Sequence, residues 1–450
     1  MRRICLALPT NRACAPAISA LHDEAAYAAR EFGVEVHMLV LDSCEGAVLA
    51  EHAALAARLP EVPGVVVHHL GEDAQRDFLR AVIARSGAAG PDALLDLMLP
   101  AALSYGACTN RIFLVAAALG CASVHRRDSD SRYQSLDGEV VYPVHHELLS
   151  LGRPAAEAAG AVTATDLDPR HLAKPVSMVG SSFIGEMSVD IAEMQRLDPR
   201  TYQEVVGLWA PFDWPAEQKR EFAADSFIGA GTEPFTADHS VLTLVDPMRV
   251  DMCNIAFHGV HEDVPLLPAT DTIGSDYFLI HLVHDATLPG VLHNRNIVNF
   301  YTGERRTDAG FAAYQLRFAK FLLSMLYLND VYAHLEQAGA SLLGPDHRVR
   351  PAAVTELLWN AAKLDDGENV QRLEILDRAY RRLGGRYAAF ADRLAGSRDR
   401  LLAEARTDIE EYALLTEAWP ALVAAAKEQG PADGWRRGSG AVPQQPNRRP

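Results

Sequence analysis

Residues 4–8, ICLAL, and 34–43, VEVHMLVLDS, decide the fold class. Each is an apolar run of the length of a buried strand. The first is stopped by Pro9-Thr10-Asn11-Arg12, and the second ends in the carboxylate of Asp42. Between them residues 16–31 are Ala-rich and read as a helix. Strand, helix and strand at this separation form the βαβ unit of a parallel sheet. The rhythm recurs as helix 45–59, strand 65–70 (VVVHHL), helices 72–86 and 92–102, a glycine-bounded helix 106–120 and a strand in 122–130 (ASVHRRDSD). The first third is therefore expected to be an α/β layered domain whose ligands sit at the carboxyl ends of the strands.

From 131 to about 300 the apolar runs shorten and loops multiply, which reads as a mixed-sheet continuation. From Ala309 long helical periodicity takes over without strands, and the last residues are rich in Gly, Pro and Arg. The expected division is a catalytic domain over 1–305, a helical C-terminal subdomain over 306–428 and a disordered tail over 429–450. The long C-terminal helices would suit a homodimer.

The chain of 450 residues carries 42 basic against 59 acidic side chains, a net charge of −17. An acidic excess argues against nucleic acid or an anionic membrane as partner, since both select basic surfaces. The six cysteines form no Cys-x-x-Cys pair, which fits reduced thiols in a cytoplasm. The apolar run after Met1-Arg2-Arg3 is too short for a signal peptide, and no run approaches ~18 apolar residues. A soluble, cytoplasmic protein is the expectation.

The sharpest local feature is Arg126-Arg127-Asp128-Ser129-Asp130-Ser131-Arg132-Tyr133, directly after an apolar strand. Residues two apart in an extended segment share a side, so Asp128 and Asp130 would present two carboxylates to one hard divalent cation, Mg²⁺ or Mn²⁺. Arg126, Arg127 and Arg132 add guanidinium donors suited to phosphate oxygens. A charged turn closed by its own salt bridges would look the same.

Pro9, Thr10, Asn11 and Arg12, with Asp42, lie at predicted strand ends of the first βαβ and would face one crevice around a nucleotide. The same residue types also serve turns and helix caps. Asn110 and Arg111, near the start of helix 106–120, could cradle an anion. No Gly-x-Gly-x-x-Gly or P-loop run follows the first strand, which weighs against a dinucleotide oxidoreductase or a P-loop NTPase. Gly274-Ser275-Asp276 reads as a helix start, where Asp276 either complements the dipole or orients and deprotonates an acceptor. His293, or alternatively His284, is the candidate third metal ligand. Glu186 and Asp190 would line a sugar pocket or a solvated face. Trp209, Phe212 and Trp214 in LWAPFDW, with Tyr133, would either cage a trimethylammonium group or simply pack a loop.

In the order LPTNR, VLDS, GACTNR, SVHRRDSDSRY, the chain resembles the GT-A type nucleotide-sugar glycosyltransferases over roughly residues 1–305. The resemblance implies a mixed-sheet nucleotide-diphospho-sugar transferase domain. Asp128 and Asp130 would hold the divalent cation against the diphosphate, with Asp130 also at the reacting centre. Pro9 to Arg12, Asp42, Asn110, Arg111 and Arg127 would surround the nucleotide; Asp276 would be the acceptor-side carboxylate, and Arg132 and Tyr133 would approach sugar or acceptor. The whole-chain pattern is also similar to S-glycosyltransferases of lincomycin-type antibiotic biosynthesis, which implies a GDP-octose donor and ergothioneine as thiol acceptor. Two rivals stand beside this reading: a sugar-phosphate nucleotidyltransferase, whose Gly-rich loop LPTNR lacks, and a non-catalytic nucleotide-binding protein.

Overall fold

The computed structural model describes residues 1–187, 191–300, 307–431 and 435. Its N-terminal part alternates β1 (Arg3–Thr10), α1 (Ala15–Phe32), β2 (Glu35–Asp42), α2 (Gly46–Arg58), β3 (Val65–Leu70), α3 (Glu72–Ser86), α4 (Pro91–Met98), α5 (Tyr105–Ala118) and β4 (Val124–Arg127). β1 is buried on both faces, as a central strand of a covered parallel sheet must be. Ile4, Leu6 and Leu8 pack with Ile18, Leu21 and Ala25 of α1, whereas Cys5 and Ala7 join the core that contains Ile112 and Val115 of α5. α1 starts with Pro16 in its first turn and stops at Gly33, whose left-handed φ of 62° lets its N–H reach the Ala29 carbonyl.

Beyond β4 the short strands are β5 (Ser131–Arg132), β6 (Gln134–Leu136), β7 (Glu139–Val141), β8 (Ala164–Asp166), β9 (Met178–Gly180), β10 (Phe183–Gly185), β11 (Ser240–Thr243), β12 (Asn254–Phe257), β13 (Gly290–His293) and β14 (Ile297–Asn299). Among the described residues, one mixed sheet runs in the order β3-β2-β1-β4-β12-β9-β13-β11-β8. β1 is parallel to both β2 and β4, and β12 is antiparallel to β4 and β9. The chain lays β2 and β3 on one side of β1 and β4 on the other, so the strand order reverses there. Such a reversal opens a crevice at the carboxyl ends of the two flanking strands, because their crossover helices lie on opposite faces.

The C-terminal helices (Asp308–Ala338, Pro351–Ala361, Gly367–Leu383, Gly385–Ala395, Arg398–Gln429) are not an appendage. Their apolar core is continuous with that of α3, α4 and α5. Buried Tyr412 and Trp419 donate to the carbonyls of Pro265 and His261. The expected boundary at 305/306 and most of the expected tail lie outside the described residues. No helix among the described residues is long and apolar enough to cross a membrane.

Candidate functional site

A cavity of about 380 Å³ opens at the carboxyl ends of β1 and β4. Its wall begins with Pro9, Thr10, Asn11 and Arg12 after β1 and continues with Arg126, Asp128 and Asp130. Period-two alternation along β4 places Arg126 on the cavity side and turns His125 and Arg127 to the opposite face. The buried Arg126 guanidinium acts as a hub, with one nitrogen 3.1 Å from Asp128, the other 3.1 Å from Asp276 and 2.7 Å from the Met252 carbonyl. Asp130 is held instead by Arg12, at 2.8 Å. Asp128 and Asp130 lie in a tight turn rather than on the expected extended segment, and both line the cavity.

Asp251 is a further carboxylate that sequence reasoning missed. β12 pairs with β4 in the register Asn254↔Arg127, which brings the loop before β12 alongside the turn after β4. One Asp251 oxygen accepts from the Cys253 N–H at 2.9 Å, and the other accepts from the Tyr277 hydroxyl. The loop sequence around Asp251 has no chemical spacing of its own, so only the strand pairing reveals it. The cavity-lining groups are then six carboxylates (Glu72, Asp128, Asp130, Asp225, Asp251, Asp276) against three guanidiniums (Arg12, Arg111, Arg126).

Burial pushes the Asp128 carboxyl up to about 6, against the pull of Arg126 and with repulsion from Asp130, Asp251 and Asp276. Burial also raises Asp276, opposed by Arg126. Hard oxygen donors in excess of their counter-charges, one of them a carboxyl whose ionised form burial and neighbouring carboxylates disfavour, fit a divalent cation.

Several expected site residues lie elsewhere. Arg127 is buried on the far face, where it pairs with Glu24 and Glu147 at 2.8 and 3.0 Å. Tyr133 donates to the same Glu24 at 2.5 Å. His293, expected as a metal ligand, stacks on His146 with 5.3 Å between ring centroids and accepts from the Arg295 N–H. His284 pairs with its neighbour Asp285. Asn110 is fully buried and closes a two-way hydrogen bond with the backbone of Leu266. Arg132 lies over the Phe300 ring, outside the cavity wall. Glu186 is half-buried and outside it too, and Asp190 lies outside the described residues. Trp214 packs edge-on against Phe222. Trp209 does line the cavity, but its ring centroid is only 4.8 Å from that of Phe227 and 5.5 Å from that of Phe321. Rings that close pack on one another and leave no room for a cation among them.

Asp42 is also turned away from the cavity. Its Oδ2 binds His52 at 2.9 Å and His69 at 2.8 Å, and its Oδ1 accepts from the Cys44 N–H. Asp42, Cys44 and His52 are close enough to hold a metal ion. However, the Cys14 N–H donates to Nε2 of His52, which places the imidazole proton on Nδ1, aimed at Asp42. The cluster is thereby satisfied as a hydrogen-bonded hub that fixes the turn bearing Arg12.

One family's sequence profile matches residues 2–435. The chain belongs to DUF6271, a family of unknown function. The match takes in this DUF6271 chain's sheet, its cavity and its C-terminal helices together. No curated protein matches the chain.

Proposed function

We propose that the chain is a glycosyltransferase of GT-A type that moves a sugar from a nucleoside diphosphate donor to a small acceptor. The observation that carries this reading is the placement of Asp128 and Asp130 in the cavity at the strand-order reversal, among more carboxylates than cations. A diphosphate alone would be repelled by such a wall, so the donor calls for a divalent cation as companion. Mg²⁺ or Mn²⁺, when bound, supplies counter-charge to the leaving diphosphate. Asp128 and Asp130 would hold it.

The protein's own groups then do the positioning. Arg126, pinned by the Met252 carbonyl, holds Asp128 and Asp276 in fixed directions, and Arg12 does the same for Asp130. In the transfer the bond from the anomeric carbon to the diphosphate oxygen breaks, and a bond from that carbon to the acceptor's sulfur or oxygen forms. The acceptor's proton leaves to solvent or to Asp276, whose raised carboxyl suits it to accept one. A thiol acceptor such as ergothioneine, with a GDP-sugar donor, would need the least help from such a base. The reading is tested by assaying nucleoside diphosphate release from a panel of activated sugars with thiol and hydroxyl acceptors, with Mn²⁺ or with EDTA. Turnover that needs the cation and vanishes in Asp128→Asn supports it; full turnover in EDTA, or pyrophosphate release from a nucleoside triphosphate and a sugar phosphate, overturns it.

A further inference from the structure

We propose that Arg111 forms an oxyanion subsite in the cavity, separate from the Asp128–Asp130 group, that takes a phosphate or carboxylate of a substrate. α5 is capped by Ser104, and Ser104, Cys108 and Arg111, at i, i+4 and i+7, form one helical stripe along the cavity wall. Asn110 is turned off that stripe, into the Leu266 backbone. Arg111 is 5% exposed. One terminal nitrogen donates to the Met98 carbonyl at 2.6 Å, and its Nε–H has no acceptor among the described residues.

The charge balance singles this residue out. Arg12 has Asp130, and Arg126 has Asp128 and Asp276. Arg111 alone among the described cavity-lining cations has no carboxylate in ion-pair contact; burial lowers its pKa, and Cys108 and Glu72 oppose that only by longer-range attraction. A buried guanidinium left without counter-charge is strongly unfavourable. The Met98 carbonyl, at the C-terminal end of α4, accounts for where the side chain is held but does not neutralise it. A planar fork with spare donors matches a bidentate oxyanion, and Ser43 and the turn at residues 100–104 border the same cavity.

The test uses the full chain in EDTA with inorganic phosphate as the probe, read by thermal shift and calorimetry. No cation is needed, so this result and the cation dependence of turnover are scored separately. Wild type and Asp128→Asn should both bind phosphate and melt higher as it is added, and Arg111→Gln should lose the response. Arg111→Lys retains the charge and serves if the Gln variant fails to fold; it should bind phosphate about tenfold more weakly, since one ammonium cannot replace a bidentate fork. Competition of bound phosphate by a nucleoside diphosphate assigns the subsite to the donor; competition by acetate, with the nucleotide binding alongside phosphate, assigns it to the acceptor. A wild-type protein with no phosphate response, or Arg111→Gln and Arg111→Lys with the wild-type response, overturns the proposal.

Discussion

Nη1 of Arg12 lies 2.8 Å from Oδ2 of Asp130, closing the crevice between the carboxyl ends of β1 and β4 from one side to the other. Both side chains keep some contact with solvent, so the pair contributes under about 1 kcal/mol to stability. Asp130→Asn should therefore melt close to wild type. It should nonetheless lose about 10²-fold in cation-dependent turnover. Melting curves beside nucleoside diphosphate release separate the two effects, and a variant with full turnover would remove Asp130 from the reacting group.

Asp128 should be a stability liability at neutral pH. Its carboxyl is raised from 3.8 to about 6, so the folded chain binds that proton more tightly than the unfolded chain does. The associated stability is present below pH 3.8 and is lost as pH rises through about 6. Asp128→Asn should melt higher than wild type at about pH 8, with the gap closing towards about pH 5. Mn²⁺ binding by the wild type, followed by electron paramagnetic resonance, should weaken below about pH 6 as the carboxyl takes up its proton.

Arg127 should prove structural despite its place in the Arg-Arg-Asp run. Removing it strands the buried carboxylates of Glu24 and Glu147, a loss of about 3–5 kcal/mol. Against the upward push of burial, Arg127 and His125 hold Glu147 down to about 2. This contribution is complete above the unfolded value of 4.5 and is lost as pH falls through about 2. Urea denaturation of Arg127→Met should show the loss at neutral pH, with phosphate affinity unchanged in whatever fraction remains folded.

Gly274 should be intolerant of a side chain. Its φ is +68°, and a Cβ would lie 2.7 Å from Cε2 of Phe321. Gly274→Ala should cost about 1–2 kcal/mol and reduce turnover by displacing the segment that carries Asp276 to Arg126. Adding Phe321→Leu should recover part of the stability, because the ring clash is relieved and the backbone strain is not. No recovery at all would place the whole defect in the backbone.

The parts of this protein legible in its sequence are those governed by neighbours in the chain. Apolar runs of strand length separated by helical periodicity were enough for β1, β2 and β3, and the turns that end β1 and β4 could be placed at strand ends because polar residues follow apolar ones there. Pro9 to Arg12, Asp128, Asp130 and Asp276 accordingly appear in the cavity wall. Arg127 and Asp42 could not be assigned this way. Alternation states that Arg126 and Arg127 face opposite ways, but which face holds the cavity depends on where Glu24 of α1 and Glu147 pack.

By itself, then, the sequence determined the layered α/β architecture, the helical C-terminal region and the position of the Asp-x-Asp turn at a strand end, since all three follow from periodicities of 2 and 3.6 along the chain. The tertiary structure alone decided which charges meet. Asp251 reaches the turn after β4 through the antiparallel pairing of β12 with β4, and Phe321 reaches the cavity from the helix Asp308–Ala338, whose apolar side chains share a core with α5. Among the described residues Arg111 has no carboxylate in ion-pair contact, because its side chain follows its own helix face into the cavity, away from the carboxylates that balance Arg12 and Arg126. The pairs Arg12–Asp130 and Arg126–Asp276 join residues more than a hundred positions apart, a relation on which local periodicity carries no information.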